Sequence, residues 1–479
     1  MPCLPDFNPG HPITNSMNPS IIPGITEPTA CFANPKVIAS IRKELKSNHV
    51  LSAADARLAR GMGLLSVPEI GRTGFNDGTI YPMDDQPQLA GVASASRGLR
   101  PLFAPAAPGG SLKALVLMVD FSDNKGTQTQ AHFQKLLFDP ANPNSMHSFY
   151  KDLSYGKLLV DGVVTDWIRA PHPYSYYTNG ASGTGADPNN ARQLLKEVLD
   201  IYCVSNSLAP FDLNGDGYVD GLFMIHAGSG AEGEPDSQKR KGMIWSHKWV
   251  MAATYANNGT KAYAYFTAPE DGKLGVFSHE FGHFLGLPDL YDTSYRSGGL
   301  GQWCLMAGGS WNGAGDKPAR LSAWCLSQLG WIKPVNLKKA ATLSLDTLAN
   351  DPKACYRLWT KGKANPEYFL IENRQKTGRD SKLPGAGLAL WHIDERQSDN
   401  TNPYAYRVAL VQADGKRQLE TNVNTGDAGD LFPGTSKQTS VNDATATQPS
   451  TAANGGGKTG VSLTAIKLAS GLISVKASV

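Results

Sequence analysis

The rhythm of apolar and polar positions changes twice along the 479-residue chain and divides it into three regions. Residues 1–105 read as a lead segment or prosegment. It is rich in Pro and Asn at first, then carries apolar residues three and four apart in "PKVIASIRKELKSN" and "SAADARLARGMGLL", the helical spacing. It closes in "RGLRPLFAPAAPGGS", whose Pro and Gly content is that of a linker. In residues 106–335 the continuous apolar runs "LKALVLMVDF" and "DGLFMIHAG" predict buried strands, while "AHFQKLLF" and "ARQLLKEVLDIYCV" predict helices. "VFSHEFGHFLG" predicts a helix that stops at Gly286, and "PARLSAWCLSQLGWI" (318–332) a second one opened by a proline. Residues 336–479 turn to short strands, "ATLSLDTL", "CYRLWT", "EYFLIENR", "GLALWHID" and "YRVALVQA". A polar stretch near 434–460 reads as a long surface loop before a last strand, "GLISVKASV". The fold class expected is α+β, with a central mixed domain and a C-terminal β-rich domain.

Composition narrows the classes. A charged fraction of 18%, 50 glycines and 31 prolines fit a loop-rich globular chain better than a helical bundle or a disordered polymer. The formal charge is only +3 and no long Lys/Arg block occurs, so nucleic acid is not an expected partner. No apolar run reaches the roughly 20 residues that span a bilayer. The opening "MPCLPDFNPG" lacks the basic and apolar parts of a secretory signal. Six scattered cysteines without a C-x-x-C pair suggest free thiols, although Cys304 and Cys325 could bridge under oxidising conditions.

The chemistry concentrates in "HEFGHFLGLPDLYD", residues 279–292. Residues four apart share one helix face, so His279 and His283 can offer two imidazoles to one zinc ion. Glu280, next to the first ligand, is placed as general base toward a water whose pKa the ion lowers. A thermolysin-like site would need a third ligand, a glutamate, from a following helix; no glutamate occurs between Glu280 and Glu367. A metzincin-like site instead ends its helix at a glycine and takes the ligand three residues later, which selects Gly286 and Asp289, with Asp292 as competitor. Met306 in "WCLMAGGSWNG" suits the methionine turn beneath such a metal. A second cation, calcium, is suggested by "FDLNGDGYVDG". There Asp212, Asn214, Asp216, the Tyr218 carbonyl and Asp220 follow EF-hand spacing, with Gly217 at the sharp turn and Phe223 in place of the twelfth-position Glu. Asp427 and Asp430 form a weaker acidic loop.

Taken together, "SHEFGHFLGLPDLYD", "LMAGGSWNG", "LSAWCLSQLGWI", "LVLMVDFSD", "SFYKDLSYGKLLVDG", "DLNGDGYVD" and "IWSH" resemble the immune inhibitor A-type metallopeptidases, most strongly over residues 95–335. The resemblance implies a zincin-type catalytic domain, a propeptide, secretion and broad protein substrates, and it carries His279, Glu280 and His283 over as functional residues. The expected partners are polypeptides, with the chain itself a monomer. His226, His247 and His392 read as hydrogen-bonded core or rim residues, and Tyr291 and Tyr295 as aromatic packing on the metal helix rather than oxyanion donors. Cys3, between prolines in "MPCLPDF", is a candidate latency thiol that could cap the zinc.

Overall fold

A computed structural model describes residues 28–46, 108–444 and 448–479 of the chain. Cys3 and the expected helix "SAADARLARGMGLL" lie outside the described residues, as does most of the linker. The central element is a six-stranded sheet in the order β1 (Thr29–Ala30), β5 (His247–Asn257), β6 (Thr260–Pro269), β4 (Gly221–His226), β2 (Gly110–Asp120) and β3 (Leu158–Arg169). The neighbours β6, β4, β2 and β3 run parallel, and β5 turns antiparallel to β6 through a hairpin with Asn258 and Gly259 at positive φ. Such a parallel centre needs apolar cover on both faces. Accordingly, the last seven residues of β2 and all of β4 are buried. Both were expected as strands from their unbroken apolar runs, whereas the more polar β3, β5 and β6 were not.

The helix Leu274–Phe284 lies across this sheet and is buried throughout. Phe277, Phe281 and Phe284, at i, i+4 and i+7, point to the sheet, where Phe277 meets Phe266 and Phe281 and Phe284 meet Phe223. The opposite face carries the two histidines. Tyr150, from the helix Met146–Leu153, packs edge-on to Phe281 and donates its hydroxyl to the Ser278 carbonyl at 2.6 Å, fixing the position of the helix.

The second helix expected at 318–332 is much shorter, Ala323–Gln328. Ser322 rather than Pro318 supplies the N-cap, accepting the Cys325 amide. Ahead of it the chain stays extended, because the Arg320 amide is committed to the Asp380 carboxylate. Cys304 and Cys325 stand with sulfurs 4.0 Å apart as free, buried thiols.

Beyond Ile332 the regular elements are strands and short 3-10 turns. A five-stranded sheet runs β12 (Val408–Leu410), β11 (Gly387–Asp394), β10 (Glu367–Arg374), β9 (Tyr356–Leu358) and β7 (Val335–Asn336). A four-stranded sheet runs β13 (Val441–Asn442), β14 (Ser462–Ala469), β15 (Leu472–Ser478) and β8 (Ala341–Leu345). Period-two alternation divides the faces of the first sheet. Phe369, Ile371, Leu388 and Leu390 join the second sheet in one core, while Leu370, Ala389, Trp391 and Ile393 face the core of the six-stranded sheet. The polar stretch near 434–460 is less of a surface loop than expected: it contains β13, and Thr451 and Thr459 are fully buried and hydrogen-bonded to each other's segment. β14, which pairs with the last strand, was not anticipated.

Candidate metal centre

The histidine helix ends in a Schellman motif. The Gly286 amide bonds the His283 carbonyl at 2.9 Å and the Leu287 amide reaches back to Gly282 at 3.0 Å. Gly286 sits at φ +93°, a conformation that L side chains resist. This turn reverses the chain and brings Asp289 back over the helix it has just left. The Asp289 Oδ1 then stands 3.2 Å from His279 Nε2 and 3.2 Å from His283 Nε2, and the two ring nitrogens are 3.0 Å apart. Three ligands of one tetrahedral zinc ion are separated by about 3.3 Å, so the spacing fits.

Protonation decides whether this is a ligand set or an ion-pair cluster. The other ring nitrogen of each histidine is tied to a carbonyl: His279 Nδ1 to Leu305 at 3.0 Å, and His283 Nδ1 to Leu287 at 2.8 Å. A carbonyl only accepts, so both Nδ1 atoms carry the proton and the neutral rings turn Nε2 lone pairs inward. Burial lowers the His283 pKa and favours this neutral form. The Asp289 Oδ1 accepts no hydrogen bond among the described residues. Two lone pairs and a carboxylate oxygen converging in a dry site repel one another unless a cation lies between them. The donor set, two imidazoles and a carboxylate, is one that zinc accepts.

Glu280 adjoins this triad, wholly buried, and neither carboxylate oxygen has a hydrogen-bond partner among the described residues. Burial, reinforced by the negative charges of Asp289 and Glu232, pushes its carboxyl well above the ordinary range.

The turn around Met306 lies beneath the helix as expected. A Cβ on Gly282 would come within 2.5 Å of the Met306 sulfur, so only glycine permits the contact. Met306 also accepts the Leu290 amide through its carbonyl, and its neighbour Leu305 orients His279. Asp292, the competing ligand, is occupied elsewhere: its two oxygens accept the amides and hydroxyls of Ser294 and Ser297.

The remaining candidates separate from this centre. His226 Nδ1 bonds Ala227, His247 lies between the Trp245 carbonyl and the Tyr265 hydroxyl, and His392 bonds Glu367. Asp212, Asn214, Asp216, Tyr218 and Asp220 share one loop held by its own amides. Asp212 accepts from Asp216 and Gly217, Asp216 from Tyr218, and Asp220 from Lys113 and Leu213. Among the described residues, two groups of three acidic, His or Cys side chains have ligand atoms within 4.8 Å of one another, and neither includes this loop. Asp427 and Asp430 belong to a turn in which Asp430 accepts the Trp303 indole and the Asp427 amide. Tyr291 stacks on Tyr295 and donates to the Ala30 carbonyl at 2.9 Å. Sequence reasoning passed over one residue: Cys31 lies with His279 and Glu280 in the second group, and no local spacing connects residue 31 to residue 279.

Known proteins resemble the region that holds this centre. Residues 110–332 match the family model described as immune inhibitor A peptidase M6, catalytic domain. The chain is 32% identical over 264 residues to immune inhibitor A of Bacillus thuringiensis subsp. alesti, covering 44% of this chain and 38% of that protein. It is also 32% identical over 266 residues to the pre-pro-metalloprotease PrtV of Vibrio cholerae serotype O1 (strain M66-2), covering 44% of this chain and 29% of that protein. The match thus spans well under half of either relative, and residues 110–332, matched by the family model, contain the histidine helix, Asp289 and Met306. Over residues 110–332, just under half of its length, the chain is similar to the immune inhibitor A (M6) peptidases.

Proposed function

We propose that the chain is a zinc-dependent endopeptidase in which His279, His283 and Asp289 hold the ion and Glu280 is the general base. The observation that carries the reading is the convergence of three unprotonated donor atoms, 3.0–3.2 Å apart, beside a carboxylate with no hydrogen-bond partner. When bound, Zn²⁺ supplies a Lewis acid that polarises water and the scissile carbonyl. Glu280 takes the proton of the attacking water and afterwards delivers it to the leaving amine. The Nδ1–carbonyl bonds of His279 and His283 keep the rings in register through this exchange. The site excludes bulk water, since His279 and Glu280 are fully buried, and this strengthens every charge interaction within it.

A polypeptide substrate in extended form fits the edge of β5. The short strand β1 pairs antiparallel there, Thr29 with Lys248 and Ala30 with His247, and demonstrates that the edge accepts a strand. Residues 1–105 act as a prosegment and residues 336–479 as a β-rich C-terminal domain in this reading, and the enzyme works as a secreted monomer. Calcium at Asp212–Asp220 is a further proposal, structural in role. It is supported by the EF-hand spacing and by carboxylates already shaped around the Gly217 turn, and calcium titration of thermal stability tests it.

The protease reading is tested by casein cleavage after limited proteolysis of the lead segment. Wild type is expected to cleave; Glu280→Gln and chelated wild type are not. Equal activity in all three would refute the reading.

A further inference from the structure

Residues 30–33 pass beside the metal helix and show how the walls there hold an extended chain. All four are buried. Midway along them, the Cys31 sulfur lies within 4.8 Å of a ring nitrogen of His279 and of a carboxylate oxygen of Glu280, so the path crosses the residues assigned to the chemistry. The main chain alternates between two walls, as an extended strand does. Cys31 turns to the wall that opens β5: its amide donates to the Ser246 carbonyl at 2.7 Å, and its carbonyl accepts the Trp245 indole at 2.8 Å. Its two neighbours turn the other way. The Ala30 carbonyl accepts the Tyr291 hydroxyl at 2.9 Å, and the Phe32 carbonyl accepts the Trp311 indole at 2.7 Å. Every one of these bonds is to a peptide group, so none depends on the side chains that the strand carries.

Both walls are held from behind. Glu232 accepts the Ser246 amide at 3.1 Å and also the Ser246 hydroxyl, which fixes the start of β5. Next to Trp311, Asn312 donates to the Gln302 carbonyl at 3.0 Å. Gly275 of the metal helix packs so closely on Ser310 that a Cβ there would stand 1.9 Å from the Ser310 carbonyl oxygen. Neither indole is therefore held in place by residues 30–33. An indole N–H can only donate, and a buried one finds an acceptor. Among the described residues those acceptors are the Cys31 and Phe32 carbonyls. With that strand gone, the passage presents one fixed donor from each wall, spaced for successive carbonyls.

We propose that Trp245 and Trp311 are substrate-binding residues that grip two successive carbonyls of an extended polypeptide, one from each wall, as it crosses Glu280. Carbonyls alternate sides whichever way a chain runs, so the grip does not depend on its direction. Main-chain bonds of this kind supply affinity without choosing a sequence, and the ligand class is the extended peptide backbone itself.

This inference rests on the protease reading above, and the experiment separates the two. The chain, freed of its lead segment by limited proteolysis, is given a quenched fluorescent peptide with one cleavage site. Single amides other than the scissile one are replaced in turn by thioamides, whose sulfur is the poorer acceptor. Wild type is expected to lose about threefold in kcat/KM at two adjacent positions. Trp311→Phe keeps an aromatic ring and removes the donor. It is expected to lower kcat/KM on the parent peptide by about threefold to tenfold, through KM, and to abolish the thioamide penalty at one of the two positions. Trp245→Phe abolishes it at the other, and both variants keep their zinc. A flat thioamide profile in wild type overturns the grip while the protease reading stands, and this arm decides even where a variant fails to fold. Penalties that persist in both folded Phe variants assign the indoles a packing role and overturn it too. Cleavage undiminished in Glu280→Gln overturns the protease reading and the grip with it.

Discussion

The histidine helix and the Asp212–Asp220 loop look alike in the sequence: each is a short run of ligand-type residues at metal-binding spacing. In three dimensions they differ in what their polar atoms already do. The loop's carboxylates accept backbone amides from within the loop and from Lys113, so it holds its shape with its own hydrogen bonds. The triad's inward-facing atoms accept none from the backbone, and what holds them lies outside the triad: carbonyls of Leu305 and Leu287, the Tyr150 hydroxyl, and the turn at Gly286. Under the proposed reading a cation completes the triad but only adds to the loop. Convergence of unpartnered atoms, more than spacing, separates a catalytic metal site from a self-supporting turn.

The comparison is broken most strongly at the base. Glu280→Gln is expected to lower kcat/KM on a peptide substrate by about 10²–10⁴-fold while zinc content is kept, because the change removes proton transfer and leaves the ligands in place. Parallel metal analysis and steady-state kinetics read both. Next in size is the support beneath the triad. Arg374 binds Asp380 through two nitrogens and donates to the Trp303 carbonyl, close to the Met306 turn. Arg374→Met leaves Asp380 and Glu372 buried without their cation and is expected to cost about 3–5 kcal/mol in urea unfolding. Zinc should also dissociate faster from this variant, with the response of the loop to calcium unaltered.

Smaller changes sharpen the picture. Asp289→Asn is expected to weaken zinc binding by more than the about 10–100-fold typical of changes outside the ligand shell, measured by competition with a chelating dye. Gly286→Ala forces a side chain into positive φ at the helix end and should cost about 1–2 kcal/mol, with some loss of zinc affinity as Asp289 shifts. Smallest is the loop: a tenfold excess of calcium over its Kd should add about 1.4 kcal/mol of stability, and Asp216→Ala should remove that increment without touching activity. An equal loss of activity from Asp216→Ala and Asp289→Asn would erase the distinction between the two sites.

Much of this was legible in the chain because local spacing reports local geometry. Helical period four placed His279 and His283 together, the glycine stop at Gly286 gave the reversal, and the continuous apolar runs gave β2 and β4. Spacing left Asp289 and Asp292 both open as third ligand; Ser294 and Ser297 occupy the oxygens of the latter, which favours the former. The helix expected at 318–332 failed because tertiary hydrogen bonding of Arg320 overrode an apolar pattern with helical period. Cys31 was invisible for a different reason. Its place beside His279 depends on a pairing of β1 with β5 across more than two hundred residues, and nothing in "PTACFANP" signals the partner.

The central claim is that His279, His283 and Asp289 together hold one zinc ion. Zinc content per chain, measured by atomic emission on purified wild type, Asp289→Ala and Asp292→Asn after dialysis against a weak chelator, tests it directly. The account predicts about one zinc in wild type and in Asp292→Asn, and a small fraction of that in Asp289→Ala. Full zinc retention in Asp289→Ala, or its loss in Asp292→Asn with the fold intact, would contradict it.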